Sequence, residues 1–322
     1  MQLIWIRLIM LFLAIIMDWV FGEPPEKLHP TVWMGKYILR GKNLALKSSD
    51  EKKQRVWGTG IAISTILLFT VPAYVLEGFV LGSGGSIAYI LLAAIALKVT
   101  FAVRCMHQFA MNLSSAIEDG RLEDAREQLP YLVRREPWRL GQRQMISAAV
   151  ESIAEGIVDG AVSPLFYFSM LGLPGAVAYR AINTLDSMVG YKDQTHREVG
   201  FFSAKLDTIA NYIPARLSAL LLILSAQILG ENSRRSLEIL RRDHSKTESL
   251  NAGWSMSAMA GALGVELEKK GYYRLGEKSE KLSTEHILRA LRMHKASILL
   301  FSIFIAPILI YLTSNLIGDT GV

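Results

Sequence analysis

The feature that most constrains this chain is a set of apolar windows, each about 20 residues long and nearly free of charge. A helix of that length crosses the hydrocarbon layer of a bilayer. In lipid every backbone N–H and C=O must be satisfied within the segment, so the windows predict helices. They fall at about 3–20, 56–76, 86–106, 208–230 and 296–317. Region 146–189 is also apolar, but Gly172-Leu173-Pro174-Gly175 predicts a break in it. The first window is long for a cleaved signal peptide and has no small-x-small site before Asp18, so it is read as a retained span. The fold class that follows is all-α, a polytopic transmembrane helix bundle of about five or six spans, one of which can be re-entrant, in a single integral-membrane domain over 1–322.

The chain is 51% hydrophobic, and its net charge of +6 is carried between the apolar windows. Segment 21–55 holds eight Lys and Arg, 107–145 holds six arginines, and 231–295 holds thirteen cations, whereas 77–85 and the tail after 317 hold none. By the positive-inside rule the three basic segments are cytoplasmic loops and both termini lie outside. No nucleic-acid recognition module is visible, so nucleic acid is not an expected partner and the bilayer is. The loop assignment conflicts with two crossings in 146–189 plus one in 208–230, which favours a broken or re-entrant course there. Ser114 to Leu129 and residues 277–295 read as amphipathic surface helices, suited to anionic headgroups. Cys105 is the one cysteine, and no CxxC, GxxxxGK(S/T), GxGxxG or HExxH occurs.

Four polar constellations stand out against this background. Glu151, Glu155 and Asp159 recur at four-residue spacing, near one face of a helix. Clustered carboxylates suit a magnesium or proton-transfer site, while the plainer alternative pairs them with Arg143 or Arg180. Asn183 to Lys192 forms the second block, continuing through His196, Arg197, Lys205, Asp207, Asn211 and Arg216 into an apolar span. Arg197, Lys205 and Arg216 can clamp phosphate oxygens, although many such blocks are solvated loops. The third is Asp18 to Pro25 with His29-Pro30 and Gly35, a helix end followed by a proline-stiffened turn in which His29 can be structural. The fourth runs from Arg241 to His244 and from Asn251 to Gly264, where small residues allow close approach of a helix or a ligand.

Taken in order, these blocks resemble the CobD/CbiB cobalamin-biosynthesis family across nearly the whole chain. The resemblance is carried by Gly22-Glu23-Pro24, His29-Pro30, Glu151, Glu155, Asp159-Gly160 and Pro164-Leu165-Phe166. Asn251 to Gly264 carries it too, and it is most specific at Asn183 to Tyr191 and at Asp207, Asn211 and Pro214-Ala215-Arg216. It implies adenosylcobinamide-phosphate synthase activity: ATP-dependent amide ligation of aminopropanol, or its phosphate ester, to a propionate carboxylate of adenosylcobyric acid at the cytoplasmic face of the cell membrane. ATP would be the cosubstrate, Mg2+ the metal, and other corrinoid-pathway enzymes further partners.

Amide formation needs an activated carboxylate, a proton acceptor and a stabilised oxyanion. On the family's positions, Glu151, Glu155 and Asp159 would serve Mg2+ or the ammonium group. Asp186 or His196 would act as base, Lys192, Arg197, Lys205 and Arg216 would hold phosphates, and Asn183 and Asn251 would orient amides. Asp207 and Asn211 complete the substrate-binding set. The sequence departs from the family's pattern at Gly156, where asparagine follows the second glutamate, and at Arg134-Arg135-Glu136, Ser249-Leu250 and Thr208. A non-enzymatic membrane sensor or scaffold of the same architecture, and a transporter, are the alternative readings.

Overall fold

The structure is a computed structural model and describes residues 2–133, 135–191 and 196–318. In chain order the helices are α1 (Gln2–Phe21), α2 (Pro30–Ala45), α3 (Glu51–Gly82), α4 (Ile87–Lys98), α5 (Arg104–Glu118), α6 (Leu122–Gln128), α7 (Gln142–Ile157) and α8 (Ser163–Val189). They continue as α9 (Phe201–Ala210), α10 (Tyr212–Leu229), α11 (Ser233–Asp243), α12 (Ala252–Leu263), α13 (Thr284–Leu300) and α14 (Ala306–Gly318). A small antiparallel hairpin, β1 (Glu266–Lys269) and β2 (Tyr273–Gly276), precedes α13. Among the described residues, five helical runs are long and apolar enough to cross a membrane: Leu3–Phe21, Glu51–Gly82, Gln142–Val189, Tyr212–Leu229 and Thr284–Asn315. The architecture is therefore the expected all-α polytopic one, with the hairpin as an addition.

Local chemistry sets the boundaries. Asp50 caps α3 by accepting from the Lys52 backbone N–H at 2.9 Å, so the helix starts in a charged segment and runs into the apolar one. His29 does the same for α2, its Nδ1 accepting from Thr31 N–H at 3.2 Å with Pro30 at the first helical position. α10 ends at Gly230, whose φ of 75° is left-handed.

The chain, read above as one membrane domain, divides into two compact units. The first comprises Met1–Ala102, Ser163–Ala210 and Phe304–Val322, and the second Val103–Val162 and Asn211–Ile303. In the first unit Met34, Ile38, Ala62, Leu185 and Val189 make an apolar core. Its most unusual feature is the break in α8, where Gly172 has φ 72° and ψ −161°. Pro174 lies just beyond, and the freed Leu173 N–H donates to buried Glu77 at 3.0 Å, while Arg7 Nη2 donates to the same carboxylate at 2.9 Å. A backbone donor in lipid is thus satisfied by a paired side chain.

In the second unit α12 is almost entirely buried. A Cβ on Gly261 would lie 2.6 Å from the Arg235 carbonyl oxygen, so close packing on α11 accounts for glycine there. Leu267 and Leu275 face each other across the hairpin and are fully buried.

Three sequence expectations are corrected. The span expected at 86–106 is only the 12-residue α4, about 18 Å long, which stops where Lys98 pairs with Glu23 at 2.8 Å. The single helix expected over Ser114 to Leu129 is split between α5 and α6 at Gly120, φ 72°. Residues 277–295 are not a separate surface helix, because the helix begins at Thr284 and continues into the apolar run.

Candidate functional site

The acidic stripe lies on α7, in the second unit, and its members have different surroundings. Glu151 is buried, at 2% exposure, and its carboxylate is fully answered. Ser147 Oγ donates to Oε1 at 2.8 Å, the Tyr273 hydroxyl donates to Oε2 at 2.6 Å, and Arg135 pairs with it. Burial, then the adjacent Glu151 charge, pushes the Tyr273 phenol above its ordinary range, so it remains a donor. Ser147 also accepts the Glu268 backbone N–H at 2.9 Å, which ties the hairpin to α7. The alternative partners read from sequence are committed elsewhere: Arg143 to Glu266 at 3.3 Å, and Arg180 to the Thr100 carbonyl at 2.5 Å.

Glu155 lies one turn further on and is exposed. Asp159 is half-buried and falls in a π-helical turn over Val158–Val162. Asp159 therefore lies just past the regular α7 turns that carry Glu151 and Glu155. Beside the stripe a cavity of about 380 Å3 is lined by Arg143, Gln144, Ser147, Glu266 and Glu268. Among the described residues no three acid, histidine or cysteine side chains converge as a metal cage. Mg2+ commonly keeps its waters and takes one or two carboxylates plus substrate phosphates, so Glu155 and Asp159 are the stripe residues that would hold it.

A second cluster in the same unit joins two expected residues. Arg216 Nη1 donates to Asn251 Oδ1 at 3.3 Å, and its guanidinium lies over the Tyr212 and Trp254 rings. Asn211, buried at 1% exposure, immediately precedes α10. Ser249 Oγ accepts from the Asn251 and Ala252 N–H groups, so this serine caps the start of α12.

The remaining expected residues belong to the first unit. Asn183 accepts from Arg180 Nη1 at 3.1 Å. Asp186 lies over Gly190, where a Cβ would come within 2.0 Å of its Oδ1. His196 packs edge-on against Tyr191, 5.3 Å between centroids. Arg197 is exposed and 3.8 Å from Glu198, Lys205 is exposed, and Asp207 is half-buried. Lys192 lies outside the described residues. The third constellation is a network: His29 Nε2 bonds Glu23 at 2.9 Å, and Glu23 pairs with Lys98. Burial raises the Glu23 carboxyl, but His29 and Lys98 outweigh it and hold the group below its ordinary value.

Sequence reading missed Ser147, Arg135 and Tyr273 as the partners of Glu151. The alternation Val265, Leu267 and Tyr273, Leu275 around Lys269-Lys270-Gly271 was the available signal for the hairpin. At Gly156 the space for a side chain is already filled, since a Cβ would meet Met106 Cε at 2.7 Å and His294 Nε2 at 3.8 Å. Thr208, also departing from the pattern, bonds back to the Ala204 carbonyl at 2.7 Å.

Comparison with known proteins finds a CobD/Cbib protein family model matching residues 11–297. A probable cobalamin biosynthesis protein CobD of Methanothermobacter thermautotrophicus is 39% identical over 300 residues, covering 93% of this chain and 97% of that protein. The cobalamin biosynthesis protein CobD of Dehalococcoides mccartyi is 42% identical over 270 residues, 84% of this chain and 87% of its own length. A probable CobD of Thermoplasma acidophilum is 38% identical over 307 residues, 94% of this chain and 98% of that protein. No solved structure matches.

Proposed function

Because the chain belongs to the CobD/CbiB family and so has a role in cobalamin biosynthesis, we propose that it is an adenosylcobinamide-phosphate synthase. It would join the amine of aminopropanol, or of aminopropanol phosphate, to a propionate carboxylate of adenosylcobyric acid, with ATP as cosubstrate, at the cytoplasmic face of the cell membrane. The observation that carries this reading is the pairing on one helix of a buried, fully hydrogen-bonded carboxylate, Glu151, with an exposed one, Glu155.

The chemistry has two steps. A propionate oxygen takes the terminal phosphoryl group of ATP and ADP leaves. The amine nitrogen then attacks the acyl carbon, the C–O bond breaks, and phosphate departs with that oxygen. Of the three protons on the ammonium nitrogen, one stays on the new amide, one leaves on the departing hydrogen phosphate, and one is released. Arg135 and Tyr273 hold Glu151 in place and neutralise it, so the rim of α7 carries one fixed and one available carboxylate. Glu155 would then receive the ammonium and accept its proton, with Asp186 or His196 the alternative base. In the alternative assignment Glu155 and Asp159 would hold Mg2+, which would neutralise charge on the phosphates, and the base would then be Asp186 or His196. Arg216, Arg197, Lys205 and Lys192 are the phosphate-binding candidates, and Asn183, Asp207, Asn211 and Asn251 the substrate-orienting ones.

The test is incubation of the detergent-purified protein with adenosylcobyric acid, aminopropanol phosphate, ATP and Mg2+, with amide product read by mass. Glu155→Gln and Asp186→Asn should each lower kcat, by roughly 10² for a lost general base. Full activity in both variants would collapse the residue assignment, and absence of both ADP and product would favour the membrane sensor.

A further inference from the structure

Arg216 is held more firmly than a surface cation requires. Its Nη1 donates to the Tyr212 carbonyl at 2.6 Å and to Asn251 Oδ1 at 3.3 Å. Its central carbon lies 3.4 Å from the Tyr212 ring centroid and 4.6 Å from that of Trp254. Trp254 rests in turn on His244, with centroids 4.6 Å apart. Gly253 permits that approach, because a Cβ there would lie 2.0 Å from the His244 carbonyl oxygen. The plane of the guanidinium is therefore fixed by aromatic faces and one of its edges by two acceptors.

Nη1 accounts for two of the five N–H donors of an arginine. Among the described residues, Nε and Nη2 have no acceptor and Arg216 has no carboxylate partner. The Nε–H and the adjacent Nη2–H point the same way. Together they form the fork that matches two oxygens of a phosphoryl or carboxylate group. A lone structural arginine would use this edge, its strongest recognition element, on a neighbouring acid. Here the side chain has already lost its rotamer freedom, so an incoming oxyanion has less ordering to impose.

We propose that Arg216 is a preorganised receptor for the two-oxygen face of an oxyanion, with Tyr212, Trp254 and Asn251 as the positioning residues that fix its plane. The proposal rests on the ligase reading only for the ligand's source, which is either a phosphoryl group of the nucleotide or amine donor, or a propionate of the corrinoid.

The test is calorimetric titration of the full-length protein in detergent at fixed ionic strength, with pyrophosphate in one arm and propionate in the other. Whichever anion binds is the source, and Arg216→Lys, which keeps the charge but loses fork and stack, should weaken it by about tenfold or more. Trp254→Phe retains a ring and should weaken it less than Trp254→Ala. A merely structural arginine would lower the unfolding temperature in these variants and leave both anion affinities unchanged. That result, or wild-type binding of neither anion, overturns the proposal. If Arg216-dependent binding is found but no amide product forms, the receptor stands and the ligase reading fails. Product formation with anion binding indifferent to Arg216 gives the reverse.

Discussion

Among single residues, Glu151 differs from Glu155 in how its charge is answered. Both are legible in the sequence as members of a four-residue acidic repeat, but the partners of Glu151 are not, since Tyr273 lies 122 residues away and pairs only through the hairpin. Local spacing carries no information about such a contact, which is why Arg143 and Arg180 looked equally good as partners of the stripe. Tyr273→Phe removes one of three donors to a buried carboxylate and is expected to cost about 1.5–3 kcal/mol. Arg135→Ala leaves that negative charge without its cation and is expected to cost more, about 3–5 kcal/mol. Chemical unfolding of the two variants in detergent gives the comparison. An arginine variant more stable than the tyrosine variant would mean that Glu151 is answered in another way.

The elements were readable in proportion to their length and regularity. Long apolar windows became helices, and the Gly172-Leu173-Pro174-Gly175 signal marked a true break, because only glycine adopts φ 72° with ψ −161° at little cost. Less visible were the early stop of α4, fixed by the Lys98–Glu23 pair, and the π turns over Val158–Val162 and Phe301–Ile305, which break no composition rule. The hairpin escaped because its strands are four residues each. The break itself offers a test. A Cβ at Gly172 would lie 2.2 Å from Glu77 Oε1 and force a backbone conformation closed to alanine. Gly172→Ala is therefore expected to destabilise the protein by about 1–3 kcal/mol from backbone strain, with the disturbed Arg7–Glu77 pair in addition. Thermal unfolding in detergent reads this, and an unchanged midpoint would contradict the described break.

At the scale of the whole molecule, the charge pattern and the family's ordered blocks made the membrane class and the pathway legible, while the division into two units was not, since no linker composition marks it. Two groups outside the spans set the expected response to acid. Burial, with Lys295 beside it, lowers His107 from 6.5 to about 4. Burial raises the Asp243 carboxyl, but Arg242, Lys246 and the Gly276 N–H overcome this and bring it from 3.8 to about 2. Both folded values lie below the unfolded ones, so the unfolded chain binds more protons, and stability rises with pH and is lost as the pH falls. The share of His107 is lost from about pH 6.5 to about 4, and that of Asp243 from about pH 4 to about 2, roughly 1–2 kcal/mol apiece after allowing for solvent. Unfolding measured across this range should show both limbs, with His107→Gln flattening the first and Asp243→Asn the second. The central claim, that the chain forms an amide through an ATP-activated carboxylate, is tested most directly by running the ligation assay with a heavy-oxygen label in the propionate carboxylate of adenosylcobyric acid. The expected result is one labelled oxygen in the phosphate released with each amide formed, and amide formation with unlabelled phosphate, or none at all, would contradict it.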